Sequence, residues 1–246
     1  MEKFCDVCQK ERTPFTFGLQ GHKPLTYWVY NCECQEKKQA KYDSDRKELE
    51  IASAVRSRLS ISGLPKISID QNFTIPKVSI LETDPDTGEP IQRLDYEKIN
   101  KYIDSIYVNI RTGQSLFMAG NCGTGKTIIM GEIGKKAISL GFDVRYFTAS
   151  KIITDKPDLN KLRFVDLLMI DDLGMAAIEK RDNRLFELVN DRIDHKLATV
   201  IATNSTEDQN KEFLGEAFVD RLKLFNTCFM IGDSRRKYNT LSENLN

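Results

Sequence analysis

No sign of charge predominates in this chain. Its 246 residues carry 36 Lys+Arg against 36 Asp+Glu, a formal net charge of zero. That balance argues against wholesale electrostatic capture of nucleic acid and leaves only local basic patches for such a purpose. Long apolar runs are missing too, and none approaches the ~20 residues of a membrane helix. The first residues, Met1-Glu2-Lys3-Phe4-Cys5, hold no apolar core of the signal-peptide kind. Together these absences lead to the expectation of a soluble, cytoplasmic protein with no membrane partner. No internal repeat or low-complexity segment is found. The length suffices for one sizeable core and a small extra module.

What is present is concentrated in a few places. Gly120 to Thr127 reads G-N-C-G-T-G-K-T, which fits the phosphate-loop pattern G-x-x-x-x-G-K-[ST] at every fixed position. Before it runs Leu116-Phe117-Met118-Ala119, of buried-strand type. After it, Ile128, Ile129, Met130, Ile133, Ala137, Ile138 and Leu140 have helical spacing up to Gly141. Strand, glycine-rich turn and helix together lead to the expectation of a nucleotide site. Gly123 and Gly125 let backbone N–H groups curl inward toward phosphate oxygens, and the helix start adds partial positive charge. The expected cradle is Gly120, Asn121, Cys122, Gly123, Thr124, Gly125, Lys126, Thr127 and Ile128. In it Lys126 reaches the β- and γ-phosphates of ATP, and the Thr127 hydroxyl ligates Mg²⁺. Cys122, at a variable loop position, and Cys228, in an apolar run, read as structural fill.

A second acidic element follows Lys126 by 45 residues. Leu167-Leu168-Met169-Ile170-Asp171-Asp172 is an apolar strand ending in two carboxylates. The expectation is a strand lying beside the phosphate-loop strand that delivers Asp171 to Mg²⁺, with Asp172 orienting or deprotonating the attacking water. Ile201-Ala202-Thr203-Asn204 ends the next strand in a polar side chain. Asn204 suits a sensor of the γ-phosphate that holds the lytic water, and Asn204-Ser205-Thr206-Glu207 also reads as helix-cap chemistry. Arg221 lies beyond it on a helix, where an arginine can act in trans on a neighbouring subunit's phosphate. Ser234-Arg235-Arg236-Lys237 follows the last strand and can supply an arginine from within the subunit.

Four of the six cysteines cluster near the N-terminus: Cys5-x-x-Cys8 and Cys32-x-Cys34. In a reducing compartment, two close pairs separated by a loop point to a tetrahedral structural Zn²⁺ rather than to disulfides. The C-x-C pair is tighter than the usual spacing, and His22 is a possible substitute ligand. Between the pairs, Thr16-Phe17-Gly18 and Leu25 to Tyr30 suggest a hairpin whose aromatic face covers the metal. Gln35 to Leu59 reads as a charged helical connector with Tyr42, Leu49, Ala52, Val55 and Leu59 as its apolar positions. Asp84 to Pro90 is a loop with turn chemistry, and Asp95 to Asn109 a helix. Strands at 143–147, 165–170, 199–203 and 227–231 alternate with helices at 185–197 and 213–225, as in a parallel sheet covered on both faces.

In this order, G-N-C-G-T-G-K-T, L-L-M-I-D-D-L-G, A-T-N-S, V-D-R-L and a terminal S-R-R resemble the AAA+ ATPases of the DnaC/DnaI helicase-loader and IstB group, over roughly residues 64–246. The N-terminal module with its Cys32-Glu33-Cys34-Gln35 ending also resembles the loaders. The resemblance implies an AAA+ P-loop fold: a central parallel sheet flanked by helices, plus a small zinc-binding module and a helical linker. Its boundaries would be 1–50 for the helicase-gripping module, 51–64 for the linker and 65–246 for the ATPase domain. It implies an ATP-hydrolysing loader of the hexameric replicative DNA helicase that binds single-stranded DNA and associates head-to-tail. Lys126 and Thr127 would be Walker A, Asp171 and Asp172 Walker B, Asn204 sensor 1, Arg221 the finger, and Arg236, or else Arg235, sensor 2. The segment Ala149 to Arg163 is shorter than loaders carry; its Lys151, Lys156, Lys161 and Arg163 would contact phosphates or form a solvated loop. An IstB-like transposition helper and an ATP-switched adaptor with negligible turnover are the competing readings.

Overall fold

The computed structural model describes residues 3–18, 23–29, 32–70, 73–174 and 183–235, apart from the side chains of Trp28 and Phe213. The chain divides into two compact units, Met1–Ala54 and Val55–Asn246. Among the described residues no helix is long and apolar enough to cross a membrane.

In the first unit, β1 (Thr13–Phe17) and β2 (Leu25–Val29) form the expected antiparallel hairpin, with Phe15 opposite Tyr27. Its aromatic face is not the cover anticipated for the cysteines: Phe15, Phe17 and Tyr27 are each about half exposed. The helix α1 (Cys34–Ser62) begins in this unit and ends in the second. Its expected apolar positions are not all buried. Tyr42 and Leu49 are exposed, and only Val55 and Leu59 pack against a core. The exposed half relies instead on good helix formers and on i,i+4 pairs such as Lys37–Glu33 and Arg46–Glu50.

The second unit is built on a seven-stranded sheet. Its strands are β3 (Ile80–Thr83), β4 (Pro90–Leu94), β5 (Leu116–Ala119), β6 (Val144–Thr148), β7 (Leu167–Leu173), β8 (Ala198–Thr203) and β9 (Asn226–Ile231), in the order β3-β4-β9-β5-β8-β7-β6. The five strands from β9 to β6 are parallel, as the alternation of strands and helices predicts. β3 and β4 add an antiparallel hairpin against β9. The segment read as a loop with turn chemistry, Asp84 to Pro90, is the turn of that hairpin and runs into the start of β4. There Asp84 Oδ1 accepts from the N–H groups of Asp86 and Thr87, an Asx turn.

Helices cover both faces. On one lie α2 (Lys66–Asp70), α3 (Tyr96–Asp104), α4 (Ile106–Thr112) and α5 (Lys126–Ser139). On the other lie α6 (Ala149–Thr154), α7 (Leu159–Arg163), α8 (Arg184–Asp194) and α10 (Glu216–Leu222), preceded by α9 (Glu207–Leu214). Successive side chains of a strand point to opposite faces, so Leu167 and Met169 enter one core while Leu168 and Ile170 enter the other. That two-sided burial is why β7 reads as an unbroken apolar run.

Two expected helices are each divided. The 95–109 helix breaks at Ser105 into α3 and α4, which lets Tyr102, Ile106 and Ile110 all be buried. The 213–225 helix is only α10, because Gly215 at φ 85° separates it from α9. The cap of α9 is Thr206, in a capping box with Gln209, and not Asn204. Arg192 on α8 is fully buried. It donates to the carbonyls of Leu162, Arg163, Val165 and Ala198 and to Thr199 Oγ1, tying α7 and the approach to β7 onto β8.

Candidate nucleotide site and cysteine knuckle

The phosphate loop joins β5 to α5. Gly125 stands at the N-cap of α5 with φ 102°, and among the described residues no heavy atom beyond its chain neighbours lies within 4 Å of the place where a Cβ would be. Gly123 is constrained differently: a Cβ there would lie 2.1 Å from Ser234 Oγ, so the strand-end segment after β9 can cross the loop only over a glycine. Arg235 N donates to Gly123 O at 2.9 Å along the same crossing. Lys126 is buried, and its Nζ donates to the Gly120 carbonyl at 2.8 Å and the Asn121 carbonyl at 2.7 Å. Thr124 is buried and donates to Asn121 O. Cys122 is exposed. Ile128 follows Thr127 in the first turn of α5.

β7 does not run beside the phosphate-loop strand, as the sequence suggested. β8 lies between them. A crossover carries the chain past the neighbouring position, and the two strands still deliver their ends to one crevice at the carboxyl edge of the sheet. Asp171 is buried there. Its Oδ2 accepts from Thr127 Oγ1 at 2.7 Å and from the Tyr146 hydroxyl at 2.7 Å, and its Oδ1 accepts from Asp172 N at 2.8 Å. The β7–β8 register shifts between Ile170 and Leu173, and Asp172 takes a left-handed φ of 50°. An irregularity at this point re-aims side chains. Asp172 comes out exposed while Asp171 stays buried. Asn204, exposed at the end of β8, donates from Nδ2 to Asp172 Oδ1 at 3.2 Å.

The structure therefore brings together Lys126, Thr127, Asp171, Asp172 and Asn204. Arg221 stands apart on α10, exposed, 3.6 Å from Asp194. Arg236 lies outside the described residues. Arg235 is described, with its guanidinium 5.6 Å from the centre of the Tyr96 ring. Sequence reasoning missed Tyr146, whose signal was faint: an aromatic hydroxyl on the strand before β7. Burial raises its pKa and the Asp171 charge adds to the effect, so the hydroxyl stays protonated and donates. A cavity of about 680 Å³ opens nearby, touching Gly120, Asn121 and Asn204, but its walls are mostly apolar and include neither Lys126 nor Asp171. The hydrogen-bonded cluster defines the site; the cavity lies at its edge.

The second constellation is the cysteine knuckle. The sulfur atoms of Cys5, Cys8, Cys32 and Cys34 all lie within 4.8 Å of one another. Zn–S bonds of about 2.3 Å in a tetrahedron require sulfurs roughly 3.8 Å apart, so the set fits the ion. Backbone N–H groups of Cys8 and Val7 draw the Cys5 thiol down to about 7. Sharing with the sulfurs of Cys8 and Cys32 pushes Cys34 up to about 12. A cation is what would let four crowded thiols all ionise. Lys38, in α1, pairs with Asp6 of the knuckle. His22 lies outside the described residues.

Residues 92–242, more than half of the chain, match the family described as IstB-like ATP binding protein. The chain belongs to this IstB-like ATP binding family. The match begins in β4, so the cysteine knuckle lies outside it. The replicative helicase loader DnaC of Escherichia coli (strain K12) is 29% identical over 147 residues, covering 54% of this chain and 59% of that protein. The DnaC of Buchnera aphidicola subsp. Baizongia pistaciae (strain Bp) is 32% identical over 140 residues, covering 50% and 56%. The chain thus spans less than two thirds of the curated relatives it matches. The crystal structure of DnaI superposes with a TM-score of 0.51 at 18% identity, over 57% of this chain and 84% of that one. That likeness bears on the fold, and it agrees with the AAA+ architecture expected of this IstB-like domain.

Proposed function

We propose that this chain is an ATP-hydrolysing loader of the replicative DNA helicase. The observation that carries the reading is the Thr127–Asp171 hydrogen bond, which joins the phosphate loop to the carboxylate strand. That pairing is the arrangement a Mg·ATP site requires. In this reading Lys126 turns toward the β- and γ-phosphates, and Thr127 and Asp171 hold Mg²⁺. The metal, when bound, neutralises charge that develops on the phosphates. Asp172, oriented by Asn204, positions the water. Arg221, exposed on α10, reaches a neighbouring subunit, which demands a head-to-tail interface. The arginine acting from within the subunit is Arg236 or, given its place on the loop, Arg235.

The relatives named as helicase loaders support the choice of partner. Residues 1–50 would grip the hexameric helicase, held in shape by Zn²⁺ on Cys5, Cys8, Cys32 and Cys34. Residues 51–64 would link that module to an ATPase domain, 65–246, that touches single-stranded DNA. A pull-down against replicative helicase and against a transposase, with and without ATP, tests this function. Retention of the helicase by the wild type, and its loss of ATP response in Lys126→Ala, is the expected result. Retention of the transposase alone would replace this reading with the transposition one.

A further inference from the structure

We propose that Tyr146 is a positioning residue for the Asp171 carboxylate, fixing which of its oxygen lone pairs stays open toward Mg²⁺. The inference rests on the nucleotide-site reading above. An ionised carboxylate offers about four in-plane acceptor positions. Three are taken: Thr127 Oγ1 and the Tyr146 hydroxyl donate to Oδ2, and Asp172 N donates to Oδ1. The open position is therefore on Oδ1. Without the phenol, Oδ2 would hold a single donor, and the carboxylate could rotate about its terminal bond, whose torsional profile is broad.

Tyr146 is well placed for this task. It pairs with Met169 across β6 and β7. Asp171 is two residues further along the same face of β7, a diagonal that a tyrosine ring spans. The backbone beneath it is pinned. Gly63, at φ 76°, packs so closely that a Cβ would lie 2.7 Å from the Tyr146 carbonyl oxygen. Arg145 donates from Nη1 to Ile61 O at 3.1 Å. A donor on a rigid strand holds its acceptor more tightly than one on a loop.

The test is Tyr146→Phe, which keeps the ring and leaves Asp171 two donors, so the fold is not at risk. Binding of a fluorescent ATP analogue is titrated with Mg²⁺ and repeated in EDTA. The half-saturating Mg²⁺ concentration should rise about tenfold, the lower end of what loss of an outer-shell partner costs. Affinity in EDTA should stay within about twofold of wild type. Unchanged Mg²⁺ dependence in the variant, beside a normal wild-type response, overturns the role of Tyr146 alone. An equal fall in affinity with and without Mg²⁺ also overturns it, because that is the mark of a packing residue. A wild type that binds no analogue removes the nucleotide-site reading itself.

Discussion

Asn204 Nδ2 donates to Asp172 Oδ1 at 3.2 Å, joining the carboxyl ends of β8 and β7 at the point where the latter strand leaves regular register. Asp172 is exposed and held at a left-handed φ of 50°, a conformation of order 1–3 kcal/mol above the ordinary regions for such a residue. The amide of Asn204 holds one oxygen of that carboxylate. Asn204→Ala should leave nucleotide affinity nearly unchanged and lower single-turnover hydrolysis about 100-fold, the scale of a misplaced general base. Equal loss of binding and hydrolysis would show that Asn204 shapes the pocket instead.

The proposed action of Arg221 on a neighbouring subunit is open to a direct test. Its guanidinium is exposed and has Asp194 at 3.6 Å, a surface pair worth little on its own. Arg221→Ala should therefore fold and bind ATP normally, yet lose about a thousandfold in concentration-dependent turnover, the scale of an arginine finger. Mixing it with Lys126→Ala should restore part of the activity, since each supplies what the other lacks. No recovery on mixing, at any ratio, points to a finger elsewhere.

For the knuckle, elemental analysis of the purified protein should give about one zinc per chain. Cys8→Ser should lower that content sharply, and ATP binding should be spared. A full equivalent of zinc in Cys8→Ser contradicts the four-sulfur site.

Asp95 gives the fold an acid-sensitive joint. Burial alone would raise its pKa, but Arg93, the Phe229 N–H and Lys98 outweigh it and hold the carboxyl below the usual range. A lowered folded-state pKa contributes stability above the unfolded value, near 3.9. That contribution is lost as pH falls through the folded one. Between pH 7 and pH 3 the urea midpoint of wild type should therefore drop further than that of Asp95→Asn. Parallel curves would mean that the joint contributes nothing.

Much of the site was legible because phosphate binding constrains residue type at fixed spacing: Gly123, Gly125, Lys126 and Thr127 meet where the pattern put them. Asp171 was legible because β7 is buried on both faces and so reads as a long apolar run ending in acid. The order of the strands was not, because chain adjacency says nothing about which crossover inserts β8 between β5 and β7. The β3–β4 hairpin was hidden by its short strands, only β3 of which lies at the sheet edge, and by Pro90, a residue tolerated at a strand's first position. Tyr146 gave only a faint signal, for a different reason. Its role depends on a diagonal contact between two strands, and no spacing within one strand encodes that.

The most direct test is the transfer of hexameric replicative helicase, taken from the same genome, onto a closed single-stranded DNA circle. With ATP, the wild-type protein should raise the helicase recovered on the circle many-fold over helicase alone, and Lys126→Ala should not. Recovery that stays at the helicase-alone level, with protein shown to bind ATP, would contradict the account.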